Sequence, residues 1–127
     1  MKSFRRKRRP GNRAMTTAEA ARVDEAKFLV CIPCLVWATN GMMSLEDVAT
    51  CCEYDHSKSG NIRRGHDKGF ASCQWHHRRI VSDGWSFVSM TDHFGPSLMD
   101  GSRLFHDTYG SDDELIEIQN LALEQRA

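Results

Sequence analysis

The chain has 127 residues, enough for one small core and too few for two independent ones, and five cysteines, an odd number better suited to metal ligation under reducing conditions than to a disulfide framework. Seventeen basic and seventeen acidic residues balance to zero formal charge, yet seven of the basic ones fall within residues 1–13, which contain no acid. No apolar run is long enough to cross a bilayer and none follows the N-terminal charges, so a cytosolic protein with no membrane partner is expected.

Residues 1–13, MKSFRRKRRPGNR, carry Lys2, Arg5, Arg6, Lys7, Arg8, Arg9 and Arg13 beside Pro10 and Gly11. Such a block is expected to form a disordered basic arm over residues 1–15 that lies along phosphate backbones; the plainer reading is a solubilising tail. Next, TTAEAARVDEAKFL predicts a helix, with Thr16 as N-cap and Glu19 completing a capping box, which delivers the chain to Cys31. Residues 31–45 predict a tight turn at Pro33 and a second at Asn40-Gly41, a geometry that suits a zinc knuckle. Residues 46–56 read as a strand ending at Asp55-His56, and residues 57–69 as a polar, glycine-rich loop carrying Lys58, Arg63, Arg64 and Lys68. FASCQWHHRRIV predicts a short strand that turns into a helix near Trp75. Residues 82–101, punctuated by Gly84, Gly95, Pro96 and Gly101, predict an ordered surface loop with a brief strand at Trp85–Val88. Two helices close the chain: Ser102–Tyr109, stopped by Gly110, and one capped by Ser111 with Glu114. The class is α+β, with residues 16–127 forming one domain.

Two short pairs, Cys31-x2-Cys34 and Cys73-x2-His76, can each grip one ion from a turn, and four such ligands match the pattern of a structural Zn2+ site. The bland alternative, ordinary buried cysteines, suits a lone cysteine better than two spaced pairs. Cys51 and Cys52 would point to opposite faces of a strand, so at most one could face the metal, and either could replace one of the four. If His76 closes this site, His77 lies about 100° round the helix axis and needs a separate task. Asp55 and His56 are its candidate companions, a carboxylate and an imidazole suited to Mg2+, Mn2+ or Zn2+ or to taking a proton from water.

These residues resemble the HNH, or ββα-metal, nucleases, through YDHS at 54–57, RRGHDKGFASC at 63–73 and CQWHHRR at 73–79. Within that group they are similar to the phage recombination enhancement function (Ref) nucleases, which are RecA-dependent. The tail GPSLMDGSRLFHDTYGSDDELI, residues 95–116, looks like the Gly-Pro, Gly-Ser, Phe and Tyr-Gly pattern that follows the nuclease motif there, and the likeness spans roughly residues 28–120. The resemblance implies a small zinc-stabilised ββα-metal domain with flanking helices. It further implies a metal-dependent DNA endonuclease of phage recombination, acting with RecA filaments in the cytoplasm of a host bacterium and encoded by a phage or prophage. It assigns Asp55 and His77 to a catalytic divalent metal (Mg2+ or Mn2+, with Zn2+ as an alternative), His56 to general base and His66 to the middle motif position. Arg63, Arg64, Arg78 and Arg79 would hold phosphates; their plainer role is a solvated face. The chain departs from the pattern at Asp55, where the Ref-like group usually has histidine, at the vicinal cysteines, and at GFAS, where an apolar strand ending in Pro-Leu is usual.

Two other readings compete. A non-catalytic zinc-knuckle nucleic-acid-binding protein needs the zinc ligands and the basic residues, but has no use for Asp55, His56 and His77 together. A zinc-stabilised interaction module would leave the basic arm unexplained and should present an apolar patch. His93, in the predicted loop, could approach the site, whereas His106 reads as surface or packing. Trp37, Trp75 and Trp85 read as core or zinc-capping residues, and Phe105 and Tyr109, four apart on one helical face, as packing.

Overall fold

The computed structural model describes residues 14–59 and 62–126, without the side chains of Ser59, Ile62, Arg63 and Arg126. The basic arm of residues 1–13, with Arg5, Arg6, Lys7, Arg8 and Arg9, and the side chain of Arg63 lie outside the described residues.

Helix α1 (Thr17–Phe28) begins at the predicted capping box: Thr16 accepts from the Glu19 backbone N–H at 3.1 Å, and the Glu19 carboxylate accepts from Thr16 N–H at 3.0 Å. The predicted knuckle is instead helix α2 (Ile32–Thr39). Pro33 falls in its first turn, where a missing N–H costs nothing, and the apolar run buries Ile32, Pro33, Cys34 and Ala38. A 3-10 turn at Leu45–Asp47 follows, so the predicted strand starts late, as β1 (Glu53–His56). It pairs antiparallel with β4 (Gly69–Ser72), Asp55 opposite Phe70 and His56 opposite Gly69. A Cβ at Gly69 would stand 2.5 Å from the Asp55 carbonyl oxygen and from the Tyr54 ring, so only glycine lets the strands approach here. The stretch predicted as a loop contains a two-strand ladder of β2 (Lys58–Ser59) and β3 (Ile62–Arg63).

Helix α3 (Gln74–Arg78) follows β4 directly. Helix α4 (Phe87–Phe94) replaces the predicted loop and the strand at Trp85–Val88: Ser86 and Ser89 cap each other, Met90 packs inward, and Gly84 and Gly95 bound the helix rather than break it. Gly95, at φ +81°, ends it facing Trp37 and the Tyr109 hydroxyl. Helices α5 (Ser102–Tyr109) and α6 (Asp112–Arg126) match expectation, with the Ser111–Glu114 box in place.

Every residue of β4 is buried, with α1, α2 and α6 packed against it. Phe70 joins Ile32, Phe105, Tyr109, Leu115 and Ile116 in the main cluster, confirming Phe105 and Tyr109 as packing residues. Cys31, Cys34, Cys73, Trp75 and Met90 form a second cluster at the start of α2 and α3. Trp85 departs from expectation: it is 41% exposed, leaning on His93 and Phe94.

Candidate functional site

The four residues predicted to grip one ion come together. Cys31 is the N-cap of α2 and Cys34 its N3 residue; Cys73 and His76 hold the same positions in α3. Each cap sulfur accepts the backbone N–H of its N3 partner, at 3.4 and 3.5 Å. That is the physical basis of the x2 spacing, because N-cap and N3 lie one turn apart and present both side chains at the same helix end. All four side chains are buried and their ligand atoms lie within 4.8 Å of one another. The Cys34 and Cys73 sulfurs are 3.9 Å apart, and His76 Nδ1 is 3.4, 3.4 and 3.2 Å from the sulfurs of Cys31, Cys34 and Cys73. A tetrahedral zinc with sulfur at ~2.3 Å and nitrogen at ~2.0 Å sets edges of roughly 3.8 Å between sulfurs and roughly 3.5 Å from sulfur to nitrogen. The cluster therefore fits a zinc ion in both donor type and spacing.

The surroundings of His76 fix its tautomer. Nε2 lies 2.8 Å from the Phe94 carbonyl oxygen and carries the hydrogen donated to it, leaving the Nδ1 lone pair among the sulfurs. Tyr109 closes the arrangement, its hydroxyl 3.0 Å from Nε2 and 2.7 Å from the Pro96 carbonyl oxygen. Burial pushes the Tyr109 phenol and the Cys31 thiol well up and hydrogen bonds from Cys31 and Cys34 pull Cys73 far down, around a buried group of three sulfurs and one imidazole lone pair. A divalent cation is the natural counterpart of such a group. Cys51 remains exposed, and Cys52 is half-buried with its sulfur 3.7 Å from the Ala49 carbonyl oxygen.

Beside this cluster, β1 and α3 border a cleft of about 510 Å³ lined by Asp55, His56, Lys58, His77, His106 and Asp112. Strand alternation decides what faces what. Glu53 and Asp55 share the face covered by α3: His77 Nδ1 is 3.0 Å from Glu53 Oε1 and His77 Nε2 is 4.0 Å from Asp55 Oδ1. Glu53 had no role in the sequence reading, although its place two residues before Asp55 on a strand puts it on the same face. Burial pushes its carboxyl up, but hydrogen bonds from Arg78 and His77 outweigh that and hold it below its ordinary value. A carboxylate at Nδ1 makes that nitrogen the donor and turns the Nε2 lone pair toward Asp55. Tyr54 and His56 occupy the opposite face, ring centroids 5.0 Å apart, with His56 Nε2 3.3 Å from Nδ1 of the buried His66.

Burial raises Asp55 from 3.8 to about 6, with the His77 imidazole acting in the opposite sense. The folded state thus holds this proton more tightly than the unfolded chain does. Its carboxyl costs no stability below the unfolded value, and the cost grows as pH rises from about 4 through about 6. Asp55→Asn is expected to match the parent at about pH 3, where Asp55 is neutral both folded and unfolded, and to be more stable by roughly 1 to 3 kcal/mol at pH 8 without added divalent metal. Equal gains at both pH values in thermal melts would exclude a buried ionised Asp55.

The predicted phosphate-holding arginines are each answered by an acid where their side chains are described. Arg64 pairs with Asp113 at 2.6 Å, Arg79 with Asp100 at 2.8 Å while lying over the Phe87 ring, and Arg78 forks onto Glu53. Any phosphate must therefore compete with an ion pair. His93 belongs to α4 and pairs with Asp47, whereas His106, expected on the surface or in packing, lines the cleft.

A family model described as recombination enhancement, RecA-dependent nuclease matches residues 16–124 of the chain. No curated protein and no solved structure gives a match. No helix of the described residues is long and apolar enough to cross a membrane.

Proposed function

We propose that this chain, which belongs to the recombination enhancement, RecA-dependent nuclease family, is an HNH-type endonuclease that hydrolyses DNA phosphodiesters with a divalent metal at Asp55 and His77. The observation that carries the reading is the facing of Asp55 Oδ1 and His77 Nε2 across 4.0 Å in a cleft, with Glu53 fixing the His77 tautomer. A non-catalytic binder has no need of a buried carboxylate turned toward an imidazole. Asp55 and His77 would hold Mg2+ or Mn2+, or alternatively Zn2+, which would supply charge stabilisation for phosphodiester cleavage.

The remaining work falls to the protein. His56, on the other face of β1 and backed by His66, takes a proton from the attacking water. Asp55, His56 and His77 line the same cleft, which supports placing the base and the metal ligands at one phosphate. The Cys31, Cys34, Cys73 and His76 site would hold a structural zinc that sets α3 against β1. Arg63, Arg64, Arg78 and Arg79 would exchange acidic partners for phosphates. Met15, near the start of the described residues, lines a second cleft shared with His56, His77 and Arg78. The arm would add contacts to the DNA backbone there.

The test is incubation with labelled DNA, bare or in RecA filaments, in Mg2+ and in EDTA, with zinc content followed in parallel. Cleavage in Mg2+ with RecA, lost in EDTA while zinc is retained, is the expected result. A chain lacking residues 1–13 should bind DNA more weakly and with a shallower dependence on salt, because it releases fewer counterions. DNA binding with no cleavage under any of these conditions would leave a non-catalytic, zinc-stabilised nucleic-acid binder as the correct reading, and an unchanged salt slope would reduce the arm to a solubilising tail.

A further inference from the structure

One pair of side chains in the cleft has no part in the metal site or the base assigned above. His106, on α5, and Asp112, at the start of α6, are 3.5 Å apart through Nε2 and Oδ1, and both line the cleft that holds Asp55 and His77. His106 Nδ1 is 2.9 Å from the Gly110 carbonyl oxygen, to which it donates its hydrogen. Nε2 is therefore the nitrogen turned toward the carboxylate and the cleft. Asp112 is held from behind by Ser57, whose hydroxyl donates to Oδ2 at 2.9 Å, and Ser57 in turn accepts from Arg64. Both His106 and Asp112 are close enough to act on the charge of Asp55. A pair that only closed the turn between α5 and α6 would need the Gly110 bond, but not an Nε2 presented to the cleft beside a buttressed carboxylate.

We infer that His106, steadied by Asp112, is the general acid that protonates the leaving 3′ oxygen, an assignment that rests on the nuclease reading above. The balance is complete without a further reagent. As the P–O3′ bond breaks, its electron pair goes to the 3′ oxygen, which takes the Nε2 proton of imidazolium His106. The water oxygen bonds to phosphorus and its proton goes to His56. The products are a 3′ hydroxyl and a 5′ phosphate, and exchange with solvent returns a proton to His106 and removes one from His56. Acid and base line the same cleft from different elements, His106 from α5 and His56 from β1.

The discriminating substrate is DNA with sulfur in place of the bridging 3′ oxygen at the scissile position, because a thiolate departs without an acid. His106→Asn keeps a side-chain N–H for the Gly110 carbonyl and removes Nε2. In single-turnover cleavage of RecA-coated DNA with Mn2+, it should slow cleavage of the normal linkage by on the order of 10²-fold and of the sulfur linkage by less than about threefold. Asp112→Asn, which retains an acceptor for Ser57, should show the same selectivity with a loss of about tenfold. Asp55→Ala, which removes a metal ligand, should slow both substrates together. Melting curves identify any variant that fails to fold, and the other then decides the matter. Equal losses on both substrates, or His106→Asn cutting the normal linkage at the parent rate, would overturn the assignment. A parent chain that cuts neither substrate would overturn the nuclease reading, and the acid with it.

Discussion

Stripping the metal from the Cys31, Cys34, Cys73 and His76 site is expected to unfold the protein, not merely to inactivate it. The site joins the first turns of α2 and α3, and through His76 it reaches the end of α4 at Phe94 and the Tyr109 hydroxyl of α5. Without a cation, three sulfurs and an imidazole must share a buried volume in which Cys31 is pushed up and Cys73 pulled down. Structural zinc binding is worth on the order of 10 kcal/mol or more, comparable to the whole stability of a small domain. Elemental analysis should find one zinc per chain, and a strong chelator should abolish the cooperative thermal transition. Cys31→Ala should purify without zinc and without a folded spectrum. A Cys31→Ala chain that folds and keeps its zinc, or a parent that carries none, would contradict a structural role for the cluster.

The same geometry accounts for how much was legible in the sequence. A Cys-x2-Cys or Cys-x2-His pair is a local statement, since N-cap and N3 belong to one turn, so the four clustered residues could be named before any fold was known. The Thr16–Glu19 and Ser111–Glu114 capping boxes were equally local. Helix α4 was missed because its cap uses Ser86 and Ser89 rather than a serine and an acid, and because Gly84 and Gly95, which bound it, read as loop punctuation. Helix α2 was missed because Pro33 reads as a turn until its first-turn position is known. Glu53 and the His106–Asp112 pair were out of reach for a different reason. Their roles depend on which face of β1 meets α3 and on α5 and α6 closing over the cleft, and neither is written into the residues near them. The arginines read as basic because the sequence shows charge but not Asp100, Asp113 and Glu53 folding back to meet it.

The adjacent histidines of α3 should fail in different ways when removed. His76 is fully buried, with Nδ1 among the three sulfurs and Nε2 on the Phe94 carbonyl, so His76→Ala deletes a zinc ligand and leaves a void among polar groups. Loss of folding, or a large drop in melting temperature with loss of zinc, is the expected outcome. His77 is about a quarter exposed, with one nitrogen on Glu53 and the other turned to Asp55, and touches none of the zinc-site sulfurs through a hydrogen bond. His77→Ala should keep zinc, fold and DNA binding while losing detectable cleavage. His56→Ala should fold, bind divalent metal and cut more slowly by on the order of 10² to 10⁴, the range for loss of a general base. Asp55→Ala should lose both rate and the response to Mg2+ concentration, because it removes a ligand and not a proton acceptor. The decisive comparison is zinc content against cleavage for the two histidine variants. A zinc-free, unfolded His77→Ala chain would reverse the roles of the two residues, and a His77→Ala chain that cuts DNA at the parent rate would remove His77 from the chemistry altogether.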